Sequence, residues 1–259
     1  MSAGRALGPA LAEVAEEAAN FILPLFRSGL EVMRKGDESP VTIADQQAET
    51  LIIAALVERW PDIPTVSEEH CSDHGVPRQV GSRFFLVDPI DGTKAFIRHD
   101  ESWTVNIGLI EDGVPVGGAV IAPASGEVWF TTAEGAARRR MGETGGTPIS
   151  VRPRPAQPLA LVSHTLTDGA ETWLREKYGF RNAERMDSSI KFCRLAEGHA
   201  DLYPRHGPTM EWDTAAGDAV LRAAGGAVTT LDDQPLRYGK TATGFLNPSF
   251  VAWGSRDGR

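Results

Sequence analysis

The first part of the chain combines two helical patterns of apolar residues. Apolar side chains recur at near-helical spacing over residues 7–28 and again over residues 46–60, which predicts two amphipathic helices. Pro24 is placed to end or kink the first helix, and Pro61 stops the second. We expect both helices to pack their apolar sides against the chain's own sheet.

Short apolar runs predict the strands of this first part. Residues 63–69 have the pattern of a short strand that ends in two acids, and the uninterrupted apolar run at residues 84–87 predicts a buried strand. We expect Pro89 to end that buried strand, because proline has no N–H and a fixed φ. An antiparallel meander is predicted for three further runs, residues 103–110, 114–123 and 128–131.

The pattern changes after a proline-rich stretch at residues 148–158. Predicted strands at residues 159–163, 200–203 and 227–230 alternate with predicted helices at residues 168–178, 188–197 and 213–224. Such alternation is typical of an α/β unit. We therefore predict an α/β (α+β) protein with an antiparallel part at residues 1–150 and an α/β part at residues 151–259.

Composition narrows the function classes. The 259 residues carry a formal net charge of -9, which argues against non-specific binding of a nucleic-acid polymer. Two cysteines, Cys71 and Cys193, are too few for a disulfide framework and suit a reducing compartment. We find no signal-peptide pattern and no apolar run of the roughly 18 residues that a membrane span needs. We expect a cytoplasmic protein, with its state as monomer or homodimer left open.

Two carboxylates stand three residues apart at the end of the buried run. Asp88 and Asp91 are hard oxygen ligands of the kind that Mg²⁺ prefers, and Mg²⁺ commonly bridges protein to phosphate. Gly92 permits close approach of the backbone to a ligand, and Thr93 opens the next segment. The stretch predicts a metal-dependent phosphate site. The alternative is a solvated acidic turn, since Asp and Gly are ordinary turn residues.

Further acids could complete such a site. Glu68 and Glu69 are adjacent, and on a strand adjacent side chains point to opposite faces, so only one should face the site. Asp45 could be the N-cap of the second helix or a member of the site. Asp213 is followed by small residues at positions 214–217, which would allow its helix to approach a neighbouring element closely.

These pieces together resemble the inositol monophosphatase superfamily of Mg²⁺-dependent, lithium-sensitive phosphatases. The resemblance rests on Asp-Pro-Ile-Asp-Gly-Thr at residues 88–93, on Trp-Asp-Thr-Ala-Ala-Gly at residues 212–217 with Gly225-Gly226 behind it, and on Ser-Glu-Glu at residues 67–69. It covers nearly the whole chain and implies a layered α/β/α/β/α sandwich.

The resemblance also implies roles for individual residues. The implied ligands of two or three Mg²⁺ ions are the side chains of Glu68, Asp88, Asp91 and Asp213 and the main-chain carbonyl of Ile90. The implied catalytic residues are Asp45, Thr93 and Glu68, of which Thr93 with Asp45 would orient and activate the attacking water. The backbone at Gly92 and Thr93 would hold phosphate.

Within the superfamily the chain is most similar to the bacterial 3′(2′),5′-bisphosphate nucleotidases of the CysQ type. Asp-Ser-Ser-Ile-Lys-Phe-Cys at residues 187–193 and Leu-Tyr-Pro-Arg at residues 202–205 carry this similarity, whereas Ala95 stands where those enzymes commonly have Glu. By analogy the residues that line the substrate are Ser188, Ser189, Lys191 and Arg205.

The resemblance implies a small phosphorylated substrate. The expected reaction is removal of the 3′-phosphate of adenosine 3′,5′-bisphosphate. The alternatives are hydrolysis of inositol-1-phosphate or histidinol phosphate, or a non-catalytic phosphate-binding protein on the same fold.

Overall fold

The computed structural model describes residues 3–28, 32–34 and 40–256, with the backbone alone at residues 32–34 and 40–43. The α-helices are α1 (Gly8–Ser28), α2 (Ile43–Arg59), α3 (Glu68–His74), α4 (Thr93–Ile97), α5 (Asp168–Tyr178), α6 (Ile190–Ala196) and α7 (Ala215–Ala223). Short 3₁₀ helices occur at Arg5–Leu7 and Thr241–Thr243. Within the described residues no helix is both long and apolar enough to cross a membrane.

The larger sheet has seven strands in sequence order. They are β3 (Thr65–Ser67), β4 (Arg83–Asp91), β5 (Thr104–Glu111), β6 (Val114–Ala122), β7 (Glu127–Thr131), β8 (Ala136–Arg140) and β9 (Thr147–Ile149). The two strands that come before them in the chain, β1 (Val32–Arg34) and β2 (Pro40–Thr42), form a separate pair. β3 and β4 are parallel, and every later neighbour in the sheet is antiparallel. The predicted meander is confirmed and is longer than expected by β8 and β9.

The smaller sheet is mixed. Its strands are β10 (Leu159–Val162), β11 (Asn182–Arg185), β12 (Leu202–Arg205), β14 (Ala227–Thr230) and β16 (Phe250–Trp253), while β13 (Thr209–Met210) and β15 (Leu246–Asn247) form a separate pair. The order of the strands is β11-β10-β12-β16-β14. β10 is parallel to both of its neighbours, β11 and β12, whereas β16 is antiparallel to both of its neighbours, β12 and β14.

Three apolar cores define the layers. One core lies between the larger sheet and α1 with α2, a second lies between the two sheets around α6 and α7, and a third lies between the smaller sheet and α5. Along β4, Phe85 and Val87 enter the first core while Phe84 and Leu86 enter the second. A strand buried on both faces needs apolar residues at every position. The layers therefore run α/β/α/β/α, which confirms the expected sandwich. The division at residue 150 stays a prediction.

Glycines bring α7 into close contact with the larger sheet. A Cβ at Gly108 would lie 2.8 Å from Ala215 Cβ, and one at Gly118 would lie 2.7 Å from the Ala216 carbonyl oxygen. The small side chains that open α7 therefore allow the helix to lie directly on β5 and β6. This contact fixes where the chain just before α7, including Asp213, meets the larger sheet.

Several local predictions were wrong. Pro89 does not end its strand: β4 continues to Asp91, and the register slips by one residue between Asp88 and Asp91. A bulge accepts proline because the missing N–H is not needed in the ladder there. Of the two outcomes predicted for Pro24, an end of the helix is excluded, since α1 runs on to Ser28, the last residue of the predicted helix. A kink stays a prediction.

The two adjacent acids also differ from expectation. Glu68 and Glu69 open α3 rather than ending a strand, so the opposite-face argument does not apply to them, and both border the same cavity. Asp45 lies in the first turn of α2 instead of at its N-cap.

Candidate active site

One cavity of about 440 Å³ opens at the carboxyl end of β4 and faces the smaller sheet. Residues predicted from five separate parts of the sequence line it: Glu68, Asp91, Gly92, Thr93, Ser188, Lys191, Arg205 and Asp213. Asp45 and Asp88 are not on its wall but lie buried within electrostatic range of Glu68. The fold therefore gathers the predicted acids and the predicted cations at one place.

The acids form a cluster that resists ionisation without a cation. Burial raises the pKa of Asp88 well above its usual range, and the charges of Glu68, Asp91, Asp213 and Asp45 add to this. The pKa of Glu68 is raised well above its usual value by burial and then by Asp213. Burial, with Asp91 next, raises the pKa of Asp213 to about 7. So much negative charge with so little solvent calls for bound positive charge.

The cluster fits Mg²⁺ in its chemistry. Asp88 is 1% exposed and its Oδ1 has no hydrogen-bond partner, which is unusual for a buried carboxylate oxygen and leaves it free as a ligand. Among the described residues no three His, Cys, Asp or Glu side chains already converge as a metal cage. Mg²⁺ tolerates this, because it keeps several waters and uses only one or two carboxylates together with substrate phosphate.

The turn after β4 presents the expected phosphate-binding residues. Gly92 has φ 92°, and a Cβ there would lie 3.0 Å from the Ser102 carbonyl oxygen, so the position requires glycine. The Thr93 hydroxyl donates to the Ile90 carbonyl oxygen at 3.1 Å. That bond ties the hydroxyl expected to orient water to the carbonyl expected to bind metal.

Glu49, which the sequence reasoning missed, fixes the position of Glu68. The Glu49 carboxylate accepts from the amides of Glu69 and His70, each at 2.8 Å, and so satisfies free N–H groups at the start of α3. Glu49 follows Asp45 by four residues in α2 and therefore lies on the same side of that helix. This spacing is the signal that could have identified it.

Ser189 acts on Asp91 from behind the cavity. Its amide donates to Asp91 Oδ2 at 2.5 Å, and the Thr104 hydroxyl donates to the same oxygen at 3.3 Å. Ser189 is 2% exposed, and its hydroxyl donates to Asn106 Oδ1 at 2.7 Å. Ser189 does not border the cavity, so its contacts support a role in positioning Asp91 rather than the predicted contact with substrate.

Lys191 is on the cavity wall, yet its ammonium group is already engaged. Nζ donates to the Ser188 carbonyl at 2.5 Å and to the Met186 carbonyl at 3.1 Å, and it lies 4.9 Å from the centre of the Tyr203 ring. The residue is 3% exposed, and burial lowers its pKa to about 8 against the opposing effect of Asp91. Lys191 therefore holds the loop that carries Ser188 and faces Asp91 with positive charge.

A buried polar network holds the Asp213 segment. Asp213 Oδ2 accepts from the Met210 amide at 2.8 Å. Asn247 donates from Nδ2 to the Met210 carbonyl at 2.8 Å and to the Thr214 hydroxyl at 3.0 Å. Asn247 lies far from Asp213 along the chain and stands in no motif, so sequence alone carried no signal for it.

Comparison with known proteins accords with this geometry. A family model described as "Inositol monophosphatase family" matches residues 7–252. The chain belongs to the inositol monophosphatase family. A relative named 3′(2′),5′-bisphosphate nucleotidase CysQ from Salmonella typhimurium is 42% identical over 241 residues, which cover 92% of this chain and 96% of the relative. The protein of the same name from Escherichia coli is 41% identical with the same coverage.

Solved structures agree with these relatives. The structure of CysQ from Bacteroides thetaiotaomicron, a bacterial member of the family, superposes with a TM-score of 0.75 at 34% identity and covers 96% of this chain and 98% of that one. An inositol monophosphatase from Zymomonas mobilis has a TM-score of 0.75 at 28% identity, covering 96% and 92% of the two chains. Members of the family are metal-dependent phosphatases, so the chain is a phosphatase.

Proposed function

We propose that this protein is a Mg²⁺-dependent phosphomonoesterase that removes the 3′-phosphate of adenosine 3′,5′-bisphosphate. The observation that carries the proposal is the identity of 41–42%, over 92% of the chain, to relatives named for 3′(2′),5′-bisphosphate nucleotidase activity. The cavity supports it independently, because acids and cations, among them Asp213 and Arg205, line the same cavity.

The first group of residues in the proposal binds the metal ions. Two or three Mg²⁺ ions would be held by Glu68, Asp88, Asp91, Asp213 and the Ile90 carbonyl. When bound, they would supply positive charge to the phosphate and lower the pKa of the attacking water. Asp88 is the best supported of these ligands, since its buried Oδ1 has no other partner.

The neighbouring residues position the reactants. The backbone at Gly92 and Thr93 holds the phosphate, and the Thr93 hydroxyl, with Asp45, orients the water for in-line attack. Asp45 suits this because it is 2% exposed and its charge already reaches Glu68 and Asp88. Ser188 and Arg205, both on the cavity wall, contact the nucleoside side of the substrate.

A substrate panel tests the proposal. Purified protein with Mg²⁺ is assayed for phosphate release from adenosine 3′,5′-bisphosphate, inositol-1-phosphate and histidinol phosphate, with and without lithium. We expect the highest kcat/KM on the bisphosphate and inhibition by lithium. Fast release from histidinol phosphate or inositol-1-phosphate beside little from the bisphosphate would assign the chain to another substrate. No release from any phosphomonoester would favour a non-catalytic binding protein.

The ligand assignment has its own test. Asp91→Asn removes one carboxylate while keeping an acceptor for the Ser189 amide, so the fold is expected to survive. Phosphate release should fall by at least about 100-fold, in line with the loss of a metal ligand that stabilises phosphate charge. Unchanged release would show that Asp91 is not a ligand.

A further inference from the structure

Besides Arg205 and Lys191, two cations border the cavity that no assignment above uses. Lys94 and Arg98 are both exposed, and both line the cavity wall. The Arg98 amide donates to the Lys94 carbonyl at 3.3 Å, so the two residues are related as i and i+4 across α4. Side chains at that spacing are neighbours on one side of a helix, and two like charges there repel. An anion bound between the two side chains would offset this electrostatic repulsion.

Of the predicted cations, Lys191 is less available than Lys94 and Arg98, because its ammonium group already contacts two carbonyls and the Tyr203 ring. Arg205 donates from Nη2 to the Pro208 carbonyl at 3.2 Å, and its buried Nε has no hydrogen-bond partner among the described residues, so it keeps a donor for the nucleoside side of the substrate. The second phosphate of a bisphosphate needs donors that can reach it without breaking internal contacts.

Arg98 meets that requirement. Its side chain is 58% exposed, and its Nη2 forms a salt bridge to Asp187 at 3.6 Å, with Asp100 also within electrostatic range. Exposed pairs of this kind contribute little to stability, and a guanidinium group has five N–H donors. The bridge spans the cavity from α4 to the loop of Ser188, and it leaves Nε and Nη1 for a ligand. Asp187 also lies close enough to Lys191 for its negative charge to raise the pKa of the Lys191 ammonium group.

The position along α4 matches a bisphosphate. Thr93 stands at one end of α4 beside the acid cluster and Arg98 follows the other end. At about 1.5 Å per residue the separation is roughly 7 Å, which is the scale of one ribose between two phosphates. A substrate with its scissile phosphate at the acid cluster therefore carries its other phosphate toward Arg98.

We propose that Lys94 and Arg98 together bind the second, non-scissile phosphate and so select bisphosphorylated nucleosides over monophosphates. This inference rests on the proposed function. It names two residues to which the sequence analysis gave no role as determinants of specificity.

Matched substrates isolate the second phosphate. Lys94→Gln, Arg98→Gln and the double variant are assayed with adenosine 3′,5′-bisphosphate and with adenosine 3′-monophosphate, which has the same scissile phosphate. We expect each single variant to lower kcat/KM for the bisphosphate by about 10-fold or more and the double variant by about 100-fold, the size of lost charge-assisted hydrogen bonds. Turnover of the monophosphate should stay within about twofold, and Arg98→Lys should retain part of the preference.

Arg83→Gln is the control. Arg83 is also an exposed arginine in a salt bridge, to Glu111, and lies at the opposite end of β4 from Asp91. Its substitution should change the turnover of neither substrate. Binding is read separately from chemistry by inhibition. The inhibition constant of adenosine 5′-monophosphate should rise about 10-fold in Arg98→Gln, while that of inorganic phosphate should not change.

Two kinds of failure are distinguishable. If the wild type prefers the bisphosphate and the double variant keeps that preference, or loses both substrates equally, the role of Lys94 and Arg98 is refuted while the proposed function stands. If the wild type itself shows no preference for the bisphosphate over adenosine 3′-monophosphate or inositol-1-phosphate, the proposed function fails and this inference fails with it.

Discussion

Asp213 allows a quantitative test of how much the acid cluster lowers the stability of the folded protein. Its pKa is raised from the usual 3.8 to about 7, mainly by burial and then by Asp91. The folded chain thus binds a proton at Asp213 more tightly than the unfolded chain does. The stability associated with this proton is fully present below about pH 4 and is lost as the pH rises through about 7.

The magnitude follows from the shift. About 3 pKa units at 1.36 kcal/mol per unit give about 4 kcal/mol as an upper value. Asp213 is half-buried, and water screening reduces the effect, so we expect about 2–4 kcal/mol. Asp213→Asn removes the charge but keeps an oxygen that can accept from the Met210 amide.

The assay is urea unfolding in EDTA at pH 4 and at pH 8.5. At pH 4 the wild type and Asp213→Asn should have nearly equal free energies of unfolding. At pH 8.5 the variant should be more stable by about 2–4 kcal/mol, although its phosphatase activity is lost. Asp62→Asn, which makes the same change at an exposed acid, is the control and should show no such gain.

Added Mg²⁺ completes the test. It should stabilise the wild type at pH 8.5 and largely remove the advantage of Asp213→Asn, because bound cations offset the repulsion. A stability difference between the two proteins that does not change with pH would refute the assigned pKa. An equal response of both proteins to Mg²⁺ would refute Asp213 as a ligand.

Three further variants test the supports of the site. Gly118→Val should destabilise the protein by about 2–3 kcal/mol in urea unfolding, because a Cβ there meets α7; Gly169→Ala, at an open position, is the control, and equal effects would contradict the close packing. Glu49→Ala should raise the Mg²⁺ concentration needed for half-maximal activity by about 10-fold, because loss of a group that orients a metal ligand typically weakens metal binding by that factor or more. Glu49→Gln should have a smaller effect. An unchanged Mg²⁺ titration would show that the contact of Glu49 with the start of α3 does not position Glu68. Lys191→Ala should lower kcat/KM more for the bisphosphate than for inositol-1-phosphate, a small monophosphate without a nucleoside, because the loop of Ser188 loses its anchor, and equal losses would contradict a role on the nucleotide side.

Local signals in the sequence were sufficient for many elements. The helix at residues 168–178 and the strand at residues 227–230 have the predicted bounds, since an N-cap threonine precedes the helix and β-branched residues fill the strand. The strand at Pro89 was misjudged because a bulge depends on the partner strand β5, which the local pattern does not reveal.

Some residues of the candidate site could be predicted from the sequence, and others could not. Asp88, Asp91 and Asp213 stand in short motifs, so residue type and spacing were enough to select them. Glu49 and Asn247 act through backbone groups that only folding brings near, and neither stands in a motif.

By itself the sequence determined the antiparallel part and the α/β part, because periodicity is a local property of the chain. Its short motifs showed the resemblance to the family, and that resemblance implied the layered sandwich and the acids of the acid cluster. The tertiary structure decided what each charge faces. It placed Lys191 among carbonyls and left Lys94 and Arg98 exposed on the cavity wall. The role of a charged side chain depends on burial and partners from distant segments, and these exist only once the layers have packed.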